Sequence, residues 1–261
     1  MAYVDVEGPR FDTRLIIGKH DRVIPGDLLP ANCKALFVEY PTSDSANVPA
    51  MVTGQVPNIW GTDQHRDLRL AAAYKDLPIV AAEPTYTPEG NRQMRATYHK
   101  KPFGIFDLLG QKNREKLLVA CAEIADSDRE IAYEGEEYKM IVRGLNEHIK
   151  KVPAVGLFTS LRNCLIAERV YRFTDVWLKT HEDLSAKKPS VAISAGLFHI
   201  EVAKALKQSQ EERISFLDSQ RQALDGLVEQ ASISDVVFAL RQTDLNGGSY
   251  FQVFEIPLQG N

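Results

Sequence analysis

The chain has little cysteine, and none of it is spaced in pairs. Its three cysteines stand far apart in 261 residues, and no C-x-x-C motif occurs. A disulfide framework needs an even set of cysteines, and a zinc cassette needs closely spaced ones. The sequence therefore argues against both the disulfide-stabilised class and the cysteine-ligated zinc class.

Long apolar runs are also missing. No stretch reaches the roughly 20 apolar residues that a membrane-spanning helix needs. The first residues show no charged start followed by an apolar segment, the pattern of a secretory signal. We therefore expect a cytoplasmic protein without a membrane partner.

The sequence also lacks the basic stripe and the motifs typical of proteins that bind nucleic acids or nucleotides. The net charge is −4, and lysines and arginines are dispersed among acids rather than gathered in a basic stripe. Neither G-x-x-x-x-G-K-[ST] nor a G-x-G-x-x-G after the first strand occurs. No nucleophile-elbow motif surrounds Ser160 or the cysteines, so covalent hydrolysis is not expected. We predict no nucleic-acid partner and no nucleotide chemistry.

What the sequence does contain is an alternation of short apolar runs with helical patterns. Runs closed by glycine or proline predict buried strands at 15–17, 34–40, 77–83 and 189–196. Helical patterns predict helices at 66–75, 111–126, 127–150, 160–184, 199–206 and 210–230. This order predicts one α/β domain over 1–261: a mainly parallel mixed sheet with helices on both faces, a helical insertion or lid at about 105–150, and a C-terminal antiparallel hairpin at 235–256.

Histidines and glutamates follow the ends of the predicted strands. His20 comes two residues after Gly18, Glu39 and Glu83 close the next two strands, and His199 follows Gly196. Ligands of open α/β sheets bind at the carboxyl ends of the strands. Imidazole and carboxylate together suit a divalent metal or acid–base chemistry.

Each of these residues has an ordinary alternative. A histidine after a strand is often a polar loop residue, whereas Glu39 could point outward or pair with Arg14 or Lys34. The glycine before each histidine is expected to allow a sharp turn of the backbone.

Arg162 is a further candidate. We expect the long helix to begin with Ser160 as its N-cap, which puts Arg162 in the first turn, where a positive charge opposes the helix dipole. Binding an anionic substrate group or a site carboxylate would explain an arginine there. The alternative is an ordinary exposed arginine.

The C-terminal half resembles a known superfamily. Arg162-Asn163 opens a long helix, and the next strand ends in Gly196-x-x-His199. Gly18-Lys19-His20, Phe37-Val38-Glu39 and the helix–strand unit that ends at Glu83 agree in outline. The chain thus resembles the erythromycin esterase, TIKI, TraB and ChaN-like superfamily over 14–41, 66–84 and 158–206.

The resemblance implies a mixed α/β fold with a cleft formed by both histidines and both glutamates. Family members are metal-dependent peptidases, metal-independent esterases or haem-binding proteins. The leading hypothesis is a hydrolase whose water attacks an ester or amide of a small molecule or peptide. The residues implied are, as catalytic groups, His20, Glu39, Glu83, Arg162 and His199; as substrate-binding groups, Arg162, Asn163 and Tyr40; and, as ligands of a divalent metal, His20, His199 and Glu39.

Lys19 departs from the family pattern. Many relatives carry a glutamate beside the first histidine, and the spacing here is Gly-x-His rather than Gly-x-x-His. A lysine beside a metal site opposes cation binding, which leaves metal-free acid–base hydrolysis open.

Two other hypotheses stay open. The same cleft could bind haem or another small ligand, with a histidine or Tyr40 as the axial ligand. Alternatively, the chain is a structural or interaction protein without chemistry, which burial of His199 away from any cleft would favour. The oligomeric state is left open.

Overall fold

The computed structural model of the chain describes residues 1–18, 26–41, 77, 79–83, 111–149, 153–180 and 188–229. These residues form an α/β fold in which helices pack on a mixed, mostly parallel sheet, as the sequence predicts. The strands are β1 Ala2–Glu7, β2 Asp12–Ile17, β3 Cys33–Pro41, β4 Ile79–Glu83, β5 Arg129–Glu130 and β6 Ser190–Ala195. The helices are α1 Gln111–Ala125, α2 Glu136–Ile149, α3 Pro153–Thr180, α4 Val202–Lys207 and α5 Gln210–Glu229.

The sheet has the strand order β4-β3-β6-β2-β1-β5. Pairs β3–β4, β3–β6, β2–β6 and β1–β5 are parallel, and β1–β2 is antiparallel. The carboxyl ends of β2, β3, β4 and β6 therefore lie at the same edge of the sheet. This edge is where the sequence places its candidate residues.

The four strands predicted from apolar runs are confirmed as β2, β3, β4 and β6. Strand β1 was not predicted, although its pattern carries the signal: Ala2, Val4 and Val6 are buried, whereas Asp5 and Glu7 are exposed. Such alternation marks a half-buried strand. The antiparallel pair that the structure describes is thus N-terminal, and the hairpin predicted at 235–256 lies outside the described residues.

The main core lies between one sheet face and helices α2, α3 and α4. Helix α2 belongs to the predicted insertion, and it contributes its buried face to this core rather than standing apart from it; that face consists of Tyr138, Ile141, Leu145 and Ile149. Residues of the other sheet face, such as Ile16, Leu36 and Val38, are buried too. Helices on that second face, the lid and the single domain over 1–261 stay predictions.

Helix α3 begins at Pro153, well before the predicted start at Ser160. Proline suits the first helical position because its missing N–H is not needed there. Ser160 is therefore not the N-cap, and Arg162 lies in the interior of the helix, so the expected conflict with the helix dipole was wrong. Helix α5 begins with a capping box, in which the Glu212 N–H donates to Ser209 Oγ and the Ser209 N–H donates to Glu212 Oε2.

Candidate functional site

The predicted histidines and glutamates follow strands that end at one edge of the sheet. The Gly18 N–H donates to Ala195 O at 3.4 Å, so the chain leaves β2 beside the end of β6. Pro41 pairs with Glu83 at the ends of β3 and β4. His20 lies outside the described residues, as do the side chains of Tyr40 and Glu83. The remaining predicted residues, Glu39, Arg162, Asn163 and His199, are brought into one cluster.

The carboxylate of Glu39 is the centre of this cluster, which we call the Glu39 site. Arg162 Nη2 donates to Glu39 Oε1 at 3.1 Å, and His199 Nε2 lies 3.2 Å from the same oxygen. The Gly196 N–H donates to Glu39 Oε2 at 2.8 Å. Three contacts from separate parts of the chain thus fix the orientation of one carboxylate.

Glu39 and Arg162 keep limited contact with solvent. Their side chains are 15% and 14% exposed, respectively. The alternative pairing of Glu39 with Arg14 is wrong, because Arg14 makes a bidentate pair with Asp5 across β1 and β2, with both contacts at 2.7 Å. The hydrogen bond and the charge of Asp5 raise the pKa of Arg14, with smaller contributions from Tyr3 and Glu130, whereas burial opposes the shift.

His199 lies in a short 3-10 turn, Leu197–His199, directly after β6. Its Nδ1 is 2.8 Å from Asn163 Oδ1, and its Nε2 faces Glu39. The residue is 1% exposed. A side-chain amide has a donor end and an acceptor end, so Asn163 can serve Nδ1 in either protonation state of the ring. His199 is therefore held on both sides and reaches solvent only through its neighbours.

Gly196 does not make the sharp glycine turn that was expected. Its φ and ψ are −68° and 162°, which is extended backbone open to any residue. The change of direction comes instead from the 3-10 turn, closed by the His199 N–H, which donates to Gly196 O at 2.9 Å. What Gly196 supplies is its own N–H, directed at Glu39.

Helix α3 carries a second charge cluster, centred on the buried carboxylate of Glu168, which we call the Glu168 cluster. Arg172 Nε donates to Glu168 Oε1 at 2.8 Å, and Arg213 Nε donates to Oε2 at 2.9 Å. Glu168 is 1% exposed and Arg213 3%. Arg213 also covers the ring of Tyr171 at 4.1 Å, and its Nη1 donates to Gln208 O at 2.5 Å. This cluster joins α3 to α5, and nothing in the sequence pattern singled out Arg213.

Cys164 lies on α3 directly after Asn163. Its Sγ donates to Arg213 O at 3.6 Å, and the residue is buried. Burial raises the pKa of the Cys164 thiol to about 12, with Glu168 adding to the effect and Arg213 opposing it. A thiol that stays protonated is a poor nucleophile, so Cys164 is not suited to attack a carbonyl carbon.

The described residues include only part of the predicted metal site, which stays a prediction. They supply two of its three predicted ligands, Glu39 and His199, and the Arg162 guanidinium contacts the oxygen that would bind the ion. Within the ranges that the structure describes, no group of three histidine, cysteine, aspartate or glutamate side chains is arranged to hold a metal. Haem binding stays a prediction too; both ring nitrogens of His199 contact protein side chains, Asn163 and Glu39.

Comparisons with known proteins leave the family open. No protein-family model, curated protein or solved structure matches the chain. Membership of the erythromycin esterase, TIKI, TraB and ChaN-like superfamily therefore stays a prediction based on the residues quoted above. In the part of the chain that is described, no helix is both long and apolar enough to cross a membrane.

Proposed function

We propose that the chain is a hydrolase in which water attacks an ester or amide carbonyl beside Glu39 and Arg162. The observation that supports this proposal is a carboxylate held by Arg162, His199 and the Gly196 N–H while it is still 15% exposed. A fixed carboxylate that meets solvent is suited to accept a proton from water. A guanidinium beside it is suited to a developing oxyanion or to an anionic substrate group.

In the proposed reaction, the oxygen of water bonds to the carbonyl carbon, and one proton of that water passes to Glu39. The carbonyl oxygen becomes an oxyanion, which the guanidinium of Arg162 stabilises. The C–O or C–N bond of the tetrahedral intermediate then breaks, and Glu39 returns the proton to the leaving alcohol or amine. No step requires a metal ion.

His199 and Asn163 act in this proposal as positioning residues. Both are almost fully buried, so neither touches the substrate directly. Asn163 holds the imidazole through Nδ1, and Nε2 of the imidazole holds Glu39 Oε1. Their effect is to keep the carboxylate at one orientation, which a catalytic base needs.

The test uses the purified full chain with p-nitrophenyl acetate and p-nitrophenyl butyrate as ester probes and a short peptide p-nitroanilide as an amide probe. Glu39→Gln keeps the size of the side chain but removes the base, and we expect kcat/KM to fall by about 10²- to 10⁴-fold. Glu7→Gln makes the same change at an exposed carboxylate of β1 and serves as the matched control. Equal rates for the two variants, or no hydrolysis of any probe by the parent chain, would refute the proposal.

A second measurement separates positioning from folding. We expect His199→Gln to lower kcat while KM changes little, because the buried ring acts on Glu39 and not on the substrate. A variant that had merely lost structure would show a lower urea midpoint, and its remaining folded fraction would keep the parent kcat per active site.

A structural role without chemistry is the second candidate, and the burial of His199 favours it. In that case the Glu39 site is a clamp that joins β3, α3 and the turn after β6. Glu39→Gln would then lower the free energy of unfolding, whereas the parent chain would hydrolyse none of the probes.

A further inference from the structure

The turn that carries His199 is contacted by helix α2, which belongs to the predicted helical insertion. The hydroxyl of Tyr138 donates to Ile200 O at 3.4 Å, across 62 residues of the chain. Both residues are buried, with exposed fractions of 6% and 0%. A buried tyrosine hydroxyl needs a hydrogen-bond partner. The carbonyl of Ile200 is that partner, and the contact joins α2 to the residue directly after His199.

Ile200 takes part in the hydrogen bonds of the 3-10 turn. Its N–H donates to Leu197 O at 3.0 Å, and its carbonyl also accepts the Ala203 N–H of α4 at 3.2 Å. The turn is therefore held by a main-chain bond from α4 and by the Tyr138 hydroxyl from α2. A displacement of Ile200 would move the imidazole of His199 as well, because the two residues are adjacent in a closed turn.

The beginning of α2 is itself fixed to the sheet. The Ile131 N–H donates to Tyr3 O at 2.8 Å, shortly before α2 begins at Glu136. Tyr138 lies in the first turn of α2, and its ring packs against the Tyr133 ring with 5.1 Å between the centroids. The donor hydroxyl is thus held relative to the same sheet that carries Glu39.

We propose that Tyr138 is a positioning residue for His199. Its hydroxyl holds the turn after β6, and the turn holds the imidazole whose Nε2 contacts Glu39. Helix α2 thereby acts on the Glu39 site through the main chain of Ile200. The expected effect on hydrolysis rests on the proposed function, whereas the expected effect on the imidazole does not.

The test uses Tyr138→Phe in the full chain, a change that removes only the hydroxyl. Tyr133→Phe is the matched control, because it makes the same change on the neighbouring ring, whose hydroxyl contacts Glu134. The imidazole resonances of His199 in ¹⁵N-labelled protein report the surroundings of the ring, and their loss in His199→Gln assigns them. We expect Tyr138→Phe to shift these resonances and Tyr133→Phe to leave them unchanged.

Kinetics with the p-nitrophenyl esters and the p-nitroanilide measure the effect on hydrolysis. We expect kcat of Tyr138→Phe to fall about threefold to tenfold while KM changes little, the size of effect that one neutral hydrogen bond has. In a His199→Gln background the same substitution should lower kcat no further, because Tyr138 acts through that ring.

Three results would overturn the positioning role of Tyr138. They are resonances of His199 that keep their parent positions in Tyr138→Phe, an equal shift in Tyr133→Phe, and a full additional loss of kcat when Tyr138→Phe is combined with His199→Gln. If the parent chain hydrolyses no probe, the proposed hydrolase function fails, and the resonances of His199 still decide the role of Tyr138.

Discussion

Helix α3 takes part in two carboxylate–arginine clusters that differ in burial. In the Glu39 site, Glu39 and Arg162 are 15% and 14% exposed, whereas in the Glu168 cluster Glu168 and Arg213 are 1% and 3% exposed. The residue types are alike, so their chemistry alone does not separate the two clusters. Access to solvent does, because a base or an anion-binding group can act only on molecules that reach it.

The groups that contact the two carboxylates also differ. Glu168 is held by two arginines, Arg172 and Arg213. Arg213 also contacts the Tyr171 ring and donates to the main-chain oxygen of Gln208. Among the described residues, Glu39 contacts an arginine, a histidine and a backbone N–H. The first set suits a fixed connection between helices, and the second includes an imidazole whose two ring nitrogens face Glu39 and Asn163.

The largest effect on stability is expected from Glu168→Gln. It leaves Arg213 charged and buried without its carboxylate, and removal of one partner of a buried ion pair typically lowers the free energy of unfolding by about 3–5 kcal/mol. Urea unfolding followed by circular dichroism measures the change, with the exposed Glu211→Gln on α5 as the matched control. A loss no larger than that of the control would show that the Glu168 cluster does not stabilise the contact between α3 and α5.

Glu39→Gln is expected to have a smaller effect on stability than Glu168→Gln. The side chain is partly solvated, and hydrogen bonds to a charged group contribute about 1.5–3 kcal/mol. The same urea experiment measures this loss, and Glu7→Gln is again the control. A loss equal to that of Glu168→Gln would remove the distinction between the two clusters and would favour the structural role of the Glu39 site.

The free energy of unfolding at high pH reports on the burial of Cys164, which contacts Arg213 of the Glu168 cluster. Burial raises the pKa of Cys164 from 9.0 to about 12. Between these values the unfolded chain releases the thiol proton and the folded chain keeps it. The stabilisation is therefore complete below about pH 9 and is lost as pH rises toward 12, at up to about 1.4 kcal/mol for each pH unit.

Cys164→Ala tests whether the thiol causes stability to fall as pH rises. Its free energy of unfolding should fall less steeply than that of the parent chain between about pH 9 and pH 10.5, because the variant lacks the titrating thiol. Parallel slopes for the two proteins would contradict the prediction.

The smallest effect is expected at an exposed pair outside both clusters. Lys139 Nζ lies 3.1 Å from Glu136 Oε1 on α2, with side-chain exposures of 55% and 93%. Such pairs contribute about 0.3–0.5 kcal/mol. Lys139→Ala should therefore shift the urea midpoint only slightly. A loss of unfolding free energy comparable to that of Glu39→Gln would mean that the loss does not increase with the burial of the pair.

Much of the fold could be predicted because strand signals are local. Apolar runs closed by glycine or proline identified β2, β3, β4 and β6, and the rule for parallel strands placed their carboxyl ends at one edge. Strand β1 was not predicted because its buried residues alternate with polar ones and form no continuous apolar run. The start of α3 was missed because Ser160 resembles an N-cap, whereas Pro153 begins the helix.

The composition of the candidate site was partly predictable too. Glu39, Arg162, Asn163 and His199 were each singled out from the sequence, and the structure brings them together. Their pairing was not predictable: Arg14, the partner considered for Glu39, is occupied by Asp5. Which cation meets a carboxylate depends on distances in space, and Glu39 and Arg162 are 123 residues apart in the chain.

The sequence by itself determined β2, β3, β4 and β6, the edge at which they end and the residue types gathered there, because each depends on local hydrophobic pattern and chain order. Only the tertiary structure decided that His199 is buried behind Glu39, that Gly196 offers its N–H rather than a left-handed turn, and that Glu168 is sealed by Arg213. Burial and pairing are properties of packed neighbours, and those neighbours come from distant parts of the chain.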